Sequence, residues 1–154
     1  MKREPKEARN RAEVVNQMKL QLPSCSINEG MARAAVAAFC AQLDPNSTEL
    51  ADIKCAVSEA VTNCIVHAYR DTAGIIYITV RIYEDREIRI DIRDKGCGIP
   101  DVKIARQPLY TTDAQGERSG MGFTVMESFC DKVRVSSVWG KGTTVTLYKR
   151  IGKR

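Results

Sequence analysis

The stretch Asp52-Ile-Lys-Cys-Ala-Val-Ser-Glu-Ala-Val-Thr-Asn-Cys-Ile-Val-His-Ala-Tyr69 decides how the rest of this sequence is interpreted. It contains neither Gly nor Pro, and its apolar residues recur at helical spacing, so it predicts one continuous amphipathic helix. The apolar stripe is formed by Ile53, Val57, Ala60, Val61, Cys64, Ile65 and Ala68. On the opposite side Glu59, Asn63 and His67 follow one another every four residues and therefore share one face.

The polar face of this helix has two interpretations. It can be an ordinary solvated surface, because short polar patterns recur by accident. Alternatively it faces a ligand, since it carries one acid, one amide and one imidazole instead of mixed Lys, Arg and Glu. A carboxylate such as Glu59 suits general-base chemistry on a hydroxyl. The amide oxygen of Asn63 suits Mg²⁺, a hard ion that takes few protein ligands.

Length and composition bound the class of protein. The 154 residues suffice for one domain with its own core. No apolar run approaches the ~20 residues that span a bilayer, and no signal-peptide core follows the charged N-terminus. We therefore expect a cytoplasmic protein without a membrane partner. The six cysteines are scattered and form no C-x-x-C pair, which argues against a disulfide framework or a zinc site.

The net charge of +5 is concentrated at the two ends of the chain. Residues 1–19 carry six Lys/Arg against three Glu, and residues 149–154 carry four more Lys/Arg, so the body between them is slightly acidic. A nucleic-acid-binding protein would cluster its basic residues on folded elements. We therefore expect solvated basic ends and no direct nucleic-acid partner.

The remaining pattern predicts the order of the elements. Residues 1–16 are expected to form a mobile or weakly helical polar extension, and residues 17–150 the domain. Strands are predicted over 18–22, 75–83, 87–93, 132–139 and 143–150. Besides the central helix, helices are predicted over 29–43, near 102–106 and over 123–129, with Asn28 capping the first and Ser47 or Thr48 capping the central one.

This order predicts an α+β fold: a two-layer sandwich with helices on one face of a mixed, mainly antiparallel sheet. The irregular connection over residues 101–119 is long for a compact domain, and such connections are usually functional or disordered.

Three further motifs are candidates for ligand binding. Asp94-x-Gly96-x-Gly98 places a carboxylate at a strand end, where it suits an exocyclic amine such as that of adenine, although Asp-x-Gly is also common in turns. Arg118-Ser-Gly120-Met-Gly122 places two glycines at a helix N-terminus, which favours phosphate, although a flexible helix entry explains them equally well.

The third motif, Gly142-Thr143-Thr144, opens the last strand, and its hydroxyls suit a base edge as well as a strand. The chain lacks the Gly-x-x-x-x-Gly-Lys-Ser/Thr motif, so a P-loop is excluded.

Taken in this order, the motifs resemble those of the GHKL ATPase superfamily, which has the Bergerat nucleotide fold. Its N box is matched by Glu59 and Asn63, its G1 box by Asp94, Gly96 and Gly98, and its G2 box by Gly120-Met-Gly122. The stretches Val57–Asn63, Ala105–Thr112 and Glu117–Thr124 are similar to the anti-sigma-F family of serine-protein kinases from endospore-forming bacteria. The resemblance covers roughly residues 18–148.

The resemblance implies a kinase that uses ATP with Mg²⁺. It implies that Glu59 is the general base and that Arg118 contacts the γ-phosphate. It assigns Mg²⁺ to Asn63 and the adenine amine to Asp94, with Thr143 nearby. The other implied ATP-binding residues are Gly96, Gly98, Gly120 and Gly122, and residues 101–119 form the lid.

The resemblance also implies the partners. These are a sporulation sigma factor, held inactive, and an anti-anti-sigma factor whose serine is the substrate, with Arg33 engaging both. A homodimer is expected on the same ground. Three features depart from the family pattern: Ala68 stands where Gly is expected, the turn at 70–74 is a residue short, and residues 1–16 have no counterpart.

Three alternatives remain. The first is a related kinase of the general stress response. The motif over residues 106–110 favours the sporulation branch over this alternative. The second is a histidine-kinase-type catalytic domain that phosphorylates a partner in trans. Self-phosphorylation is nearly excluded, because the only histidine, His67, lies in the central helix and no separate phospho-accepting helix exists. The third is a nucleotide-gated binding module without catalysis, against which the acid Glu59 argues.

Overall fold

The computed structural model describes residues 12–70, 72–107 and 122–152. Five strands and four α-helices occur in these ranges: β1 (Val14–Pro23), α1 (Asn28–Cys40), α2 (Ser47–Asn63), β2 (Ile75–Tyr83), β3 (Glu87–Asp94), α3 (Val102–Ala105), α4 (Gly122–Phe129), β4 (Lys132–Val138) and β5 (Gly142–Arg150). A 3₁₀ turn (Ala41–Leu43) follows α1, and a π-helical segment (Cys64–Ala68) follows α2.

The five strands form one sheet in the order β1-β2-β3-β5-β4. Every pairing between the described strands is antiparallel, so the predicted mixed character is wrong in that respect. The reason is that β2–β3 and β4–β5 are hairpins, and β5 then joins β3 with the opposite direction. The α+β class, with helices packed on one face of the sheet, is confirmed.

The core lies between the sheet and the first two long helices. Strand β2 alternates buried and partly exposed residues, and so does β3, as expected for a sheet with one covered face. Residues of α1 and α2 at helical spacing meet the covered face. The largest buried side chains are Val36, Ile53, Val57, Val61, Ile76, Ile78, Ile82, Ile88, Ile92, Met126, Leu147 and Ile151.

Strand β1 begins earlier than the sequence predicts. Val14 already pairs with Tyr83, and the carbonyl of Glu13 accepts a hydrogen bond of 2.9 Å from Glu84 N. Residues 14–16 therefore belong to the sheet and not to the polar extension. Pairing with a distant strand decides this boundary, which local sequence does not encode. Residues 1–11 lie outside the described ranges.

Both predicted helix caps are wrong. Asn28 is the first residue of α1, and its side-chain amide donates to the carbonyl of Pro23 instead of capping the helix. Helix α2 is capped by Asn46, one residue before the predicted candidates. Asn46 Oδ1 accepts from Glu49 N at 2.7 Å, and Glu49 Oε1 accepts from Asn46 N at 3.0 Å, which together form a capping box.

The uncovered face of the sheet is basic. It carries arginines and lysines next to tyrosine rings, with Arg89 5.6 Å from the centroid of Tyr148 and Lys95 4.9 Å from that of Tyr77. Asp91 on β3 accepts from Arg81 at 3.0 Å. Positive charge thus gathers on one folded surface, which a charge balance taken segment by segment along the chain does not reveal.

Candidate active site

Helix α2 brings the predicted acid and amide to one place. Glu59 and Asn63 lie one turn apart in its last two turns, and both are partly buried. Gly122, the first residue of α4, lies against them: a Cβ built there would be 3.4 Å from Glu59 Oε2 and 3.4 Å from Asn63 Oδ1. The start of α4 therefore packs closely against the polar end of α2, next to the Glu59 carboxylate and the Asn63 amide.

The predicted continuation of this helix to Tyr69 is interrupted after Asn63. The chain there changes to a π-helical segment, which turns less per residue than an α-helix. Glu59 and Asn63 keep the α-helical spacing, whereas His67 lies in the π segment. The predicted single α-helix is therefore wrong beyond Asn63, where His67 follows a different backbone geometry from Glu59 and Asn63. Such π segments often occur at functional sites.

Asp94 is the buried carboxylate of the site. It ends β3, is only 5% exposed, and lies opposite Thr143 in the sheet. Its Oδ1 accepts from Gly96 N at 3.0 Å and from Thr143 N at 3.2 Å, and its Oδ2 accepts from Cys64 Sγ at 3.6 Å. Burial raises the pKa of Asp94 above its ordinary value, although the hydrogen bonds from Gly96, Thr143 and Cys64 oppose this shift.

The two glycines after Asp94 allow close packing against the rest of the site. A Cβ at Gly96 would lie 2.3 Å from the carbonyl oxygen of Ala68, so this loop packs directly on the π segment. Gly98 has a φ of +75°, and a Cβ there would lie 2.3 Å from the carbonyl oxygen of Val138. Both positions therefore require glycine for steric reasons.

Thr143 takes part in a small hydrogen-bond network that sequence reasoning missed. Ser137 Oγ lies 2.8 Å from Thr143 Oγ1 and accepts from Ile99 N at 2.7 Å. Ser137 thus links the end of the glycine loop to the start of β5. No local sequence signal distinguishes it from any other strand serine.

Tyr69 is a second residue that the sequence analysis left without a role. Its hydroxyl donates to the carbonyl of Ile75 at 2.6 Å and accepts from Lys95 N at 2.7 Å. It therefore fixes the end of the π segment relative to the residue after Asp94. Burial raises its pKa.

Arg33 lies on α1, next to the helix that carries Glu59. It forms an ion pair with Glu29 at 2.9 Å and contacts Ser58 Oγ at 3.3 Å. Its side chain is 44% exposed. A cation at this position remains accessible while touching the residue just before Glu59.

Arg118 and Gly120 lie outside the described residues. The ends of the segment that contains them are described. Arg106, just after α3, forms an ion pair with Glu127 of α4, with Arg106 Nε 3.0 Å from Glu127 Oε1, and Arg106 Nη2 also donates to the carbonyl of Val133 at 3.1 Å. This contact holds the two ends together.

The described residues add two findings. They contain no group of three or more His, Cys, Asp or Glu side chains that could hold a metal ion, and none of their helices has the length and apolar character needed to cross a membrane. All six cysteines are free thiols.

The fold brings Glu59, Asn63 and Gly122 together at one point. Cys64, which follows Asn63 in the chain, donates a hydrogen bond to Asp94 and so connects the two parts of the site.

Comparison with known proteins gives a consistent result. A sequence model of the histidine kinase-like ATPase domain matches residues 26–149. The chain is 56% identical over 139 residues to an anti-sigma F factor of Geobacillus kaustophilus, covering 90% of this chain and 94% of that protein. It is 56% identical over 138 residues to one of Caldanaerobacter subterraneus, covering 90% of this chain and 96% of that protein.

Solved structures show the same fold. The RsbU and RsbW domains of Rv1364c from Mycobacterium tuberculosis match with a TM-score of 0.67 at 21% identity, covering 91% of this chain and 34% of that one. The mycobacterial sensor histidine kinase MprB matches with a TM-score of 0.56 at 11% identity, covering 89% of this chain and all of that one.

Proposed function

We infer that this chain is an anti-sigma factor with ATP-dependent kinase activity, because it belongs to the anti-sigma F factor family of histidine kinase-like ATPase domains. The finer proposal is that it transfers the γ-phosphoryl group of ATP to a serine of an anti-anti-sigma factor. It also holds a sporulation sigma factor inactive, in the cytoplasm where that factor acts.

The observation that carries the kinase proposal is the approach of Gly122 to Glu59 and Asn63. A Cβ added at Gly122, the first residue of α4, would lie 3.4 Å from Glu59 Oε2 and from Asn63 Oδ1, although these residues come from distant parts of the chain. Free N–H groups at a helix start favour phosphate. A carboxylate beside that phosphate site is placed to take a proton from an attacking hydroxyl.

The roles follow from this geometry and from the family. Glu59 is the general base that takes the proton of the substrate hydroxyl. Gly122, together with Gly120 and Arg118, contacts the phosphates. Positioning and electrostatics supply most of the rate in phosphoryl transfer, so the protein needs to hold these groups more than to react with them.

The other end of the nucleotide is assigned to Asp94. Its ionised carboxylate accepts a hydrogen bond from the 6-amino group of adenine, and Gly96, Gly98 and Thr143 line the same end. The burial of Asp94 supports this, because a buried carboxylate without a cationic partner among its described contacts is expensive unless a ligand uses it.

Mg²⁺ suits the side-chain oxygen atoms of α2 that lie next to the start of α4. Asn63 Oδ1 is the neutral oxygen ligand proposed for it, and few protein ligands suffice because Mg²⁺ keeps waters and binds phosphate oxygens. Bound there, the ion would neutralise negative charge on the phosphates during transfer.

Arg33 is proposed as a partner-binding residue. Its exposed guanidinium suits an acidic group on either protein partner. Because Arg33 contacts Ser58, a partner bound to Arg33 would lie next to the helix that carries Glu59. Homodimerisation is proposed from the family resemblance, and a mass measurement in solution by light scattering tests it.

The experiment that tests the function is phosphotransfer from γ-labelled ATP to a purified anti-anti-sigma factor. We expect label on the partner in the presence of Mg²⁺, loss of label in EDTA, and acid-stable phosphoserine on hydrolysis. Acid-labile label on a partner histidine would instead support the histidine-kinase-type alternative. Nucleotide binding without any labelled partner would support the binding module.

A further inference from the structure

Three donors among the described residues form hydrogen bonds to the two oxygen atoms of the Asp94 carboxylate. A carboxylate offers about four lone-pair positions, two on each oxygen. The backbone N–H groups of Gly96 and Thr143 occupy both positions of Oδ1, at 3.0 and 3.2 Å. The thiol of Cys64 donates to Oδ2 at 3.6 Å. No other donor among the described residues contacts Oδ2, so one of its acceptor positions is available to a ligand.

Cys64 determines which position that is. Both residues are buried, with Cys64 3% exposed and Asp94 5% exposed, so water does not compete for the contact. The two oxygens are fixed in different ways, because Oδ1 is held by backbone and Oδ2 only by the thiol. A thiol is a weak donor, so Oδ2 keeps most of its acceptor strength for a second hydrogen bond.

The position of Cys64 in the chain gives this contact a second consequence. Cys64 directly follows Asn63, and it opens the π segment on which Gly96 packs. The backbone that holds Asn63 at the phosphate end therefore also holds the donor to Asp94 at the base end. A shift of this segment would move both ends of the site together.

We propose that Cys64 is a positioning residue for adenine recognition: its thiol holds Oδ2 of Asp94 so that the remaining acceptor position faces the 6-amino group of the purine. This rests on the proposed function, in which Asp94 binds that amino group. The ligand class is a 6-aminopurine nucleotide. The sequence interpretation of Cys64 as a small core hydrophobe is the competing explanation.

The test compares two nucleotides on matched variants. ATP and purine riboside triphosphate differ only in the 6-amino group, so the ratio of their dissociation constants measures the contribution of that group to binding. The protein variants are Cys64→Ala and Cys64→Val, which both lack the donor, and Cys64→Ser, which retains one. Cys40→Ala is the control, because Cys40 is another fully buried thiol, located in the core on α1.

We expect the unmodified protein to prefer ATP by about tenfold or more, as for a hydrogen bond to a charged group. The variants without a donor should lose about two thirds or more of that preference, whereas their affinity for purine riboside triphosphate stays within about twofold. Cys64→Ser and Cys40→Ala should keep the preference. The loss should appear in KM for ATP and not in kcat.

Three results would overturn the proposal. If both donor-less variants keep the full preference for ATP, or lose affinity for both nucleotides equally, Cys64 has only a packing role. Thermal melting of each variant identifies general destabilisation, and the Val variant replaces the Ala variant if the latter does not fold. If the unmodified protein itself does not distinguish the two nucleotides, the assignment of adenine to Asp94 fails as well.

Discussion

Gly122 lies against the carboxylate of Glu59, although many residues and several elements separate the two along the chain. A Cβ at Gly122 would be 3.4 Å from Glu59 Oε2, and equally close to Asn63 Oδ1. This contact joins the start of α4 to the polar end of α2, and it defines the space in which the proposed chemistry takes place.

Gly122→Ala should give a stable protein with impaired nucleotide binding. The added methyl group makes only ordinary contacts, and Ala favours helix over Gly by up to about 1 kcal/mol, so the melting temperature should be unchanged or higher. The same methyl fills the space beside Asn63 and should weaken ATP binding by about tenfold or more, equivalent to ~1.4 kcal/mol. Titration calorimetry and thermal melting measure both effects.

Gly30→Ala is the control for this prediction. Gly30 is also helical, and its Cβ would meet only Arg33 Nη2, at 3.7 Å. This variant should gain similar stability and bind ATP normally. Undiminished ATP affinity in Gly122→Ala would show that no ligand occupies the space beside Glu59.

Gly98→Ala should destabilise the protein more than Gly140→Ala. Both glycines have positive φ, +75° and +82°, so each alanine carries a left-handed penalty of roughly 1–2 kcal/mol. At Gly140 the added Cβ meets nothing within 4 Å, whereas at Gly98 it would lie 2.3 Å from a backbone oxygen. Urea unfolding should therefore give a clearly larger loss for Gly98→Ala. Equal losses would mean that the glycine loop does not pack on β4 as described.

Asp94→Asn should weaken ATP binding without lowering the stability of the empty protein at neutral pH. The amide oxygen of Asn can still accept from Gly96 N and Thr143 N, but the ionised acceptor for the 6-amino group is lost. Because burial raises the pKa of Asp94 above 3.8, its ionisation costs stability.

The pH dependence has a definite sign. The stability that Asp94 contributes in its protonated form is fully present below pH 3.8, the ordinary pKa of Asp. It is lost as the pH rises through the raised pKa of Asp94 in the folded protein. The Asn variant should therefore be relatively more stable above that pKa, and this advantage should vanish in strong acid. As the pH is lowered, the ATP affinity of the unmodified protein should begin to fall at a higher pH than it would if Asp94 had the pKa of an ordinary Asp. An Asn variant that binds ATP as tightly as the unmodified protein would exclude Asp94 from adenine recognition.

Arg106→Ala should affect phosphotransfer more than stability. The Arg106–Glu127 ion pair is partly exposed, with 29% and 44% of the side chains accessible, so its loss should cost about 1 kcal/mol or less. It holds the ends of the segment that contains Arg118, and looser ends should slow transfer by about fivefold or more through poorer positioning. Single-turnover kinetics and thermal melting separate the two effects.

A charge reversal tests the same pair. Arg106→Glu combined with Glu127→Arg restores opposite charges at the ends of the segment and should recover part of the rate. A double variant no better than Arg106→Ala would indicate that the bond to the carbonyl of Val133, not the ion pair, is what matters.

The sequence predicted most elements because their patterns are local. The alternation in β2 and β3 and the helical stripe around Ile53 each require only nearby residues. The start of β1 at Val14 and the antiparallel pairing of β3 with β5 depend on distant partners. Asn46 was within reach of sequence analysis, because Asn46-Ser-Thr-Glu49 has the spacing of a capping box.

The site shows a similar division. Motif spacing predicted Glu59, Asn63, Asp94 and Gly122 as site residues, and the fold brings them into two linked groups. It did not identify Cys64, Ser137 or Tyr69, because an isolated thiol or hydroxyl has no motif, and their roles depend on which backbone group folding places beside them. The π segment after Asn63 likewise has no local signature in this chain.

Phosphotransfer by Glu59→Gln tests the proposed general base directly. Glutamine has nearly the same shape but cannot accept the proton of an attacking hydroxyl. We predict that this variant binds ATP normally, while transfer to the anti-anti-sigma factor falls by about 10²- to 10⁴-fold. Glu84→Gln, which changes an exposed carboxylate in the β2–β3 turn, should transfer normally. Normal phosphorylation of the partner by Glu59→Gln would exclude Glu59 as the general base of the transfer.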